Sequence, residues 1–237
     1  SFMRGAIYKP RTSPHDFQGL GDEGIEVIKK IKANYPIKIV TEVTDASQIA
    51  LLEPYVDMFQ IGARNMQNFE LLKKVGESKL PILLKRGFGN TIDEWLGAAE
   101  YIMQSGNQNI ILCERGIKTF EPLLRNTLDL AGALLTKEIS NLPVIVDPSH
   151  ATGNPKLVPN LAKAAIVAGC DGFMVEIHKN PECSLWDSTK YSKVIDMHAV
   201  ENPNADLAYE IKSVQKEMEK AAKKPATTEV KEESRLV

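Results

Sequence analysis

The sequence is poor in cysteine and has no long apolar segment. Three of its 237 residues are cysteines, which lie far apart and form no C-x-x-C pair. This excludes a disulfide-stapled secreted domain and favours a reducing compartment. No apolar run approaches the ~20 residues that cross a bilayer, and the first ten residues lack the apolar core of a signal peptide. These absences predict a cytoplasmic protein with no membrane partner.

An excess of charge of either sign is also lacking. Lys and Arg number 29 and Asp and Glu number 31, so the formal net charge is −2. Such a balance argues against nonspecific binding to nucleic acid or membranes. The 43% apolar and 25% charged fractions exclude disorder throughout the chain. No strand candidate leads into G-x-G-x-x-G or G-x-x-x-x-G-K-[ST], which weakens a nucleotide-binding interpretation.

What the sequence does contain is an alternation of short apolar runs and helical patterns. Most of the runs lack in/out alternation, which predicts parallel strands buried on both faces. The predicted strands are Phe2–Tyr8, Ile37–Val43, Met58–Ile61, Pro81–Leu84, Asn109–Cys113, Pro143–Val146 and Gly172–Ile177. The predicted helices are Gly21–Asn34, Gln67–Val75, Thr91–Ser105, Glu121–Leu135 and Leu157–Ala168. Thr91 and Glu94 form a capping-box pattern at the start of the third helix.

This repetition fits either a doubly wound sheet or a (β/α)8 TIM barrel. Ionisable residues follow nearly every strand candidate, and a site that draws on all strand ends is typical of a barrel. An open sheet concentrates its site at one switch point instead. We therefore predict an α/β fold of the (β/α)8 barrel class over residues 1–200, with seven strand motifs visible. A C-terminal amphipathic helix and a polar tail are predicted over residues 201–237.

Cations gather at the ends of the predicted strands, and in a barrel these ends meet at one mouth. Arginine matches carboxylate or phosphate with a bidentate fork, and lysine supplies a point charge. A nearly neutral chain with such a mouth is suited to multiply charged anions. For Arg86, which should point outward from Lys85, a surface salt bridge remains the alternative. The cations at or near strand ends are Arg4, Lys9, Arg11, Arg64, Lys85, Arg86 and Arg115.

Three residues near the last two strand motifs are of metal-ligating type. His150 follows Asp-Pro-Ser, Glu176 lies in the next strand motif, and Asp187 lies in the loop after it. A histidine with two carboxylates suits a divalent metal such as Mn, Fe, Co or Zn. Asp147 could position a water or a substrate hydroxyl. A hydrogen-bonded structural histidine and a loop-capping aspartate are the alternatives for His150 and Asp147.

Taken together, the motifs resemble the type Iβ branch of 3-deoxy-D-arabino-heptulosonate 7-phosphate (DAHP) synthase. They are RGAIYKPRTSPHDFQGLG, IGARN, LLKRGF, ILCERG, VDPSHATG and VEIH, which occur in order over roughly residues 1–190. The resemblance implies an aldol-type condensation of phosphoenolpyruvate with erythrose 4-phosphate. The products would be DAHP and phosphate, in the first step of the shikimate pathway. The family's oligomeric habit implies a homodimer or homotetramer.

The resemblance also implies roles for individual residues. One divalent metal ion would be held by His150, Glu176 and Asp187, and Lys9, Asp147 and His150 would be catalytic. Phosphoenolpyruvate would be bound by Arg4, Lys9, Arg64, Lys85 and Arg115. Erythrose 4-phosphate would be bound by Lys9, Pro10, Arg11 and Thr12.

The chain departs from the family pattern in two places. The family's fourth metal ligand is a cysteine in a GPCS motif on the first strand, and neither that motif nor that strand is found here. After Asp187 the chain reads STKYS where the family has a glycine and Gln-Ser. Two alternatives remain open. One is 3-deoxy-D-manno-octulosonate 8-phosphate synthase, which uses arabinose 5-phosphate, although KPRT favours the four-carbon sugar. The other is a truncated, non-catalytic paralogue that binds phosphorylated ligands.

Overall fold

The computed structural model describes residues 2–5, 7–11, 14–178 and 194–196. Thr12, Asp187 and the predicted C-terminal helix and tail over 201–237 lie outside these ranges. Within them, no helix has the length and apolar character needed to cross a membrane.

A parallel sheet whose strands follow one another in chain order forms the framework. Over the described ranges it has seven strands, each paired with the next along the chain. In a doubly wound sheet the spatial order of the strands reverses at a switch point. The unbroken order found here is that of a β/α barrel, as predicted. The sheet curls into a half-barrel. The strands are β1 Phe2–Arg4, β2 Lys38–Val43, β3 Met58–Ile61, β4 Ile82–Lys85, β5 Ile110–Glu114, β6 Val144–Val146 and β7 Gly172–Phe173.

Helices connect the strands and cover the outside of the sheet. The capping box predicted at Thr91 is confirmed, because its hydroxyl accepts from the Glu94 amide and Glu94 Oε2 accepts from the Thr91 amide at 2.8 Å. Two short helices, Ser47–Leu52 and Pro148–Thr152, were not predicted from the sequence. The helices are α1 Glu23–Asn34, α2 Ser47–Leu52, α3 Phe69–Gly76, α4 Ile92–Gln104, α5 Leu130–Ser140, α6 Pro148–Thr152 and α7 Val158–Ala168.

The helix predicted over Glu121–Leu135 is wrong for most of its length. Residues 115–129 form a long connection, and α5 begins only after Asp129, whose carboxylate accepts from the Gly132 amide at 2.8 Å. The amides of Arg125 and Asn126 donate to carbonyls of the neighbouring α6 segment at 3.1 and 2.8 Å. Because these bonds tie the backbone to another segment, it does not form a helical turn there.

The last and first predicted strands also need correction. The single strand predicted over Gly172–Ile177 is two strands, β7 and β8 Glu176–His178, and β8 pairs in parallel with β9 Val194–Asp196 in a separate sheet. The Glu176 amide donates to the Ser149 hydroxyl at 3.1 Å, so a side chain takes the place of a strand partner. The first run is a strand only as far as Arg4.

Alternation along the strands divides the apolar residues between two faces. The outer face packs under the helices, and most of the core lies between them, including Phe59 and Leu84 on the strands and Trp95 on α4. The inner face of the curl carries a smaller cluster of Val40, Met58, Leu83 and Cys113. Polar residues that follow on the inner face are therefore placed directly above an apolar layer.

Leu84→Ala tests the outer core. Leu84 is fully buried on β4, so we expect the substitution to lower the free energy of unfolding by about 2–5 kcal/mol. Leu123→Ala is the matched control, because Leu123 is 85% exposed and its truncation should change stability by less than about 0.5 kcal/mol. Urea unfolding followed by tryptophan fluorescence measures both, and equal losses would contradict this assignment of the core.

Candidate functional site

A layer of buried polar side chains lies above the inner apolar cluster. Each member comes two residues after an inner apolar residue of its strand, so alternation places it on the same face. All are buried despite their polarity. They are Glu42 on β2, Gln60 on β3, Lys85 on β4, Arg115 after β5 and Asp147 after β6.

Lys85 and Asp147 form a buried ion pair in this layer. Asp147 also caps α6, because its Oδ1 accepts from the His150 amide at 3.0 Å, and its Oδ2 lies 2.7 Å from His150 Nδ1. Burial by itself raises the pKa of Asp147, but its interactions with His150 and Lys85 outweigh this effect and hold that pKa well below its usual value. Asp147 is therefore ionised at neutral pH.

His150 and Glu176 meet at the open side of the curled sheet. His150 Nε2 lies 3.2 Å from Glu176 Oε1, and Arg4 from β1 forms an ion pair with the same oxygen. Burial lowers the pKa of His150 to about 4, despite the opposing effect of Asp147 and Glu176. The imidazole is therefore neutral at neutral pH, which is the form that binds metals.

These two side chains fit a divalent cation. Glu176 Oε2 is buried and accepts no hydrogen bond from the described part of the chain, so it retains the capacity to bind a cation. An imidazole nitrogen beside a carboxylate oxygen suits metals of borderline hardness. A cluster of three possible ligands does not occur within the described ranges. The structure thus brings together two of the three predicted ligands, while Asp187 lies outside them.

Glu42 lies among the predicted cations. It accepts from Gln60 Nε2 at 3.0 Å, and a Cβ on Gly62 would come within 2.0 Å of its Oε1. The glycine of the GARN motif is therefore needed for this close approach. Burial raises the pKa of Glu42 even though nearby positive charges oppose the rise. Those charges belong to Arg4, Lys85, Lys9 and Arg64, which the fold gathers around one carboxylate.

Arg11 and Lys9 lie in the loop after β1, while Arg115 lies in the buried layer. Arg11 Nε donates to the carbonyl of Phe17 at 3.0 Å, within the loop that also contains the half-buried Pro10. The Lys9 amide donates to the Gln18 carbonyl at 2.8 Å, which closes this loop at its base. Arg115 is buried, and burial lowers its pKa to about 10, so it remains a cation at neutral pH.

Arg86 faces away from the mouth, as its position after Lys85 predicts. Its Nη1 lies 3.1 Å from Glu114 Oε2 and 2.8 Å from Asp129 Oδ2, and its Nε donates to the Asn90 carbonyl at 3.0 Å. The pair with Glu114 is buried rather than a surface salt bridge. Glu114 Oε1 also accepts from the Gly116 amide at 2.6 Å, so this network anchors the loop that follows Arg115.

A curled parallel sheet in chain order, with buried cations and a histidine–carboxylate pair at its strand ends, defines a β/α-barrel protein suited to anions and a divalent metal. The model of the DAHP synthetase I family matches residues 2–213. The chain belongs to this family, and the family predicted from the sequence motifs is confirmed.

Two relatives show the extent of the similarity. The chain is 51% identical over 185 residues to phospho-2-dehydro-3-deoxyheptonate aldolase of Thermotoga maritima, which covers 78% of this chain and 55% of the relative. It is 27% identical over 235 residues to 2-dehydro-3-deoxyphosphooctonate aldolase of Francisella tularensis subsp. holarctica, which covers 93% of this chain and 79% of that protein. The chain thus spans about half the length of the Thermotoga relative.

Solved structures agree in fold. The crystal structure of the Thermotoga maritima phospho-2-dehydro-3-deoxyheptonate aldolase (DAHP synthase) matches with a TM-score of 0.84 and 46% identity, covering 91% of this chain and 61% of that one. A truncated form of 3-deoxy-D-arabino-heptulosonate 7-phosphate synthase from the same organism matches with a TM-score of 0.75 and 44% identity. It covers 92% of this chain and 75% of that one.

Arg86→Met tests the outer anchor. The substitution leaves Glu114 buried without its cation, so we expect a loss of about 3–5 kcal/mol in the free energy of unfolding. Lys73→Met is the control, because Lys73 pairs with Glu70 on an exposed helix face and its loss should cost less than about 1 kcal/mol. Denaturant titration compares the two, and a similar small loss in both would show that Arg86 anchors nothing.

Proposed function

We propose that this chain condenses phosphoenolpyruvate with erythrose 4-phosphate to give DAHP and phosphate. The observation that carries the proposal is the group formed by the half-buried Arg4 and the buried Lys85 and Arg115 beside the His150–Glu176 pair. The 51% identical relative is named for this product, which supports the same activity here.

The cations suit the charges of the two substrates. Phosphoenolpyruvate carries a carboxylate and a phosphate, and the sugar carries a second phosphate, so the two molecules repel each other. Buried cations hold both in reacting geometry and stabilise the charge that develops. In this proposal phosphoenolpyruvate is bound by Arg4, Lys9, Arg64, Lys85 and Arg115, and erythrose 4-phosphate by Lys9, Pro10, Arg11 and Thr12.

The reaction forms one carbon–carbon bond and one carbon–oxygen bond to water, and it breaks the carbon–oxygen bond to phosphate. The methylene carbon of phosphoenolpyruvate attacks the aldehyde carbon, and water captures the positive charge that develops at the central carbon. The tetrahedral intermediate then loses phosphate by C–O cleavage. The water loses both of its protons as its oxygen becomes the ketone oxygen of the product; the aldehyde oxygen gains one and the departing phosphate the other. We assign proton handling and orientation at these atoms to Lys9, Asp147 and His150.

A divalent metal ion completes the proposal. His150, Glu176 and Asp187 would hold it. The neutral imidazole, and a Glu176 Oε2 that accepts no hydrogen bond from the described residues, support the first two assignments. When bound, such a metal supplies Lewis acidity to an aldehyde or a water. Its identity among Mn, Fe, Co and Zn stays open.

The rest of the proposal concerns the organisation of the protein. We assign the catalytic unit to residues 1–200 and a helix with a tail to residues 201–237. We also propose a homodimer or homotetramer in the cytoplasm. The balanced charge supports the proposal that the protein has no nucleic acid or membrane partner.

Offering two aldoses tests the reaction. With phosphoenolpyruvate and Mn²⁺ present, we expect the addition of erythrose 4-phosphate to consume phosphoenolpyruvate and release an equal amount of phosphate. Arabinose 5-phosphate should consume far less phosphoenolpyruvate. The ultraviolet absorbance of the enol and a phosphate assay measure the two. A preference for arabinose 5-phosphate would identify the octulosonate reaction instead. If neither aldose causes phosphoenolpyruvate to be consumed but the chain still binds phosphoenolpyruvate, only a binding function would remain.

Chelation tests the metal. We expect EDTA to abolish the aldose-dependent reaction and added Mn²⁺ to restore it, because the His150–Glu176 pair would lose and regain its cation. His150→Ala should remain inactive after Mn²⁺ is added and should bind less metal in equilibrium dialysis. The exposed His15→Ala is the control and should respond as the unsubstituted chain does. Full activity in EDTA would exclude a required metal.

A further inference from the structure

Three cations converge on one phenyl ring next to the proposed phosphoenolpyruvate site. Arg115 Cζ lies 4.6 Å, Arg64 Cζ 5.4 Å and Lys118 Nζ 5.8 Å from the centroid of the Phe88 ring. Cations within about 6 Å of an aromatic face are attracted by its negative quadrupole. Arg64 follows β3 and Arg115 follows β5, so the ring joins cations from two different strand ends.

The backbone around Phe88 is fixed on both sides. The Gly87 amide donates to Met66 Sδ at 3.1 Å, and the Phe88 carbonyl accepts from the Lys118 amide at 2.7 Å. The preceding residue, Arg86, is held in the buried network with Glu114. The half-buried ring is therefore presented from an anchored turn rather than from a loose loop.

An aromatic ring holds cations in a way that a carboxylate does not. The carboxylates of Asp147 and Glu176 neutralise Lys85 and Arg4, and an incoming anion must compete with them. The face of Phe88 attracts guanidinium groups without neutralising their positive charge. Arg115 Nη1 also donates to the carbonyl of Gly116 at 3.2 Å, which orients this guanidinium beside the ring. The ring also offsets part of the repulsion between Arg64 and Arg115 before any ligand binds.

We propose that Phe88 is a positioning residue that holds Arg64 and Arg115 together for the carboxylate and phosphate of phosphoenolpyruvate. This inference rests on the proposed function and extends it to a residue that contributes no charge of its own. Lys118, which is exposed, extends the same cluster toward solvent.

Two substitutions at Phe88 separate aromatic attraction from apolar packing. Phe88→Leu keeps an apolar side chain and removes the ring, so we expect Kd and KM for phosphoenolpyruvate to rise roughly tenfold. The value of kcat and the KM for erythrose 4-phosphate should change less than about twofold, because only the arginines are released. Phe88→Tyr keeps the ring and should bind phosphoenolpyruvate within about twofold of the unsubstituted chain.

Phe69→Leu is the matched control. Phe69 is a half-exposed phenyl that stacks on Tyr101 with 4.6 Å between ring centroids, so the substitution removes an aromatic contact of another kind. We expect its phosphoenolpyruvate affinity to be unchanged. Isothermal titration calorimetry with phosphoenolpyruvate and steady-state assays on the full chain measure all three variants, with melting temperatures recorded alongside.

The outcomes distinguish this inference from the function on which it rests. Weaker phosphoenolpyruvate binding in Phe88→Leu, restored in Phe88→Tyr, supports the positioning role. Equal binding by Phe88→Leu and the unsubstituted chain overturns that role and leaves the proposed function intact. Equal weakening in Phe88→Leu and Phe88→Tyr overturns it as well, since shape and not the ring would then matter. No phosphoenolpyruvate binding by the unsubstituted chain overturns both proposals.

Discussion

The burial of opposite charges above an apolar layer is the constraint on which the rest of the site depends. A charge removed from water costs several kcal/mol unless a partner compensates it. The inner face meets this requirement by pairing Lys85 with Asp147 and Arg4 with Glu176. Each pair joins residues that are far apart in sequence, so the pairing also fixes the positions of the strand ends that carry it.

Because side chains alternate along a strand, neighbouring charged residues form separate ion pairs on the inner and the outer face of the sheet. Lys85 faces inward to Asp147, while Arg86 faces outward to Glu114. In the same way Glu114 faces outward and Arg115 inward. The inner residues are placed for ligands and the outer ones anchor the loop after Arg115. A substitution on the outer face can therefore disturb the site through its support without touching a ligand.

Local patterns predicted most of the fold, and tertiary contacts explain the rest. The strands from β2 to β6 and the Thr91 cap were predictable because apolar runs and cap chemistry are local signals. Residues 121–129 were wrongly included in a predicted helix, because the bonds of this stretch to the α6 segment leave no local trace in the sequence. His150 and Asp147 could be found from a single motif. The cluster around Phe88 could not, since its cations come from separate loops.

The Arg4–Glu176 pair links anion and cation binding in the site. An anion that binds Arg4 competes with Glu176, and a cation that binds Glu176 and His150 competes with Arg4. When both ligands bind, Arg4 pairs with the anion and Glu176 pairs with the cation. Neither side chain is then left as an uncompensated buried charge. Under the proposed function, we therefore expect each ligand to strengthen the binding of the other by the same factor, as thermodynamic linkage requires. A site built in this way favours the state in which anion and metal are present together.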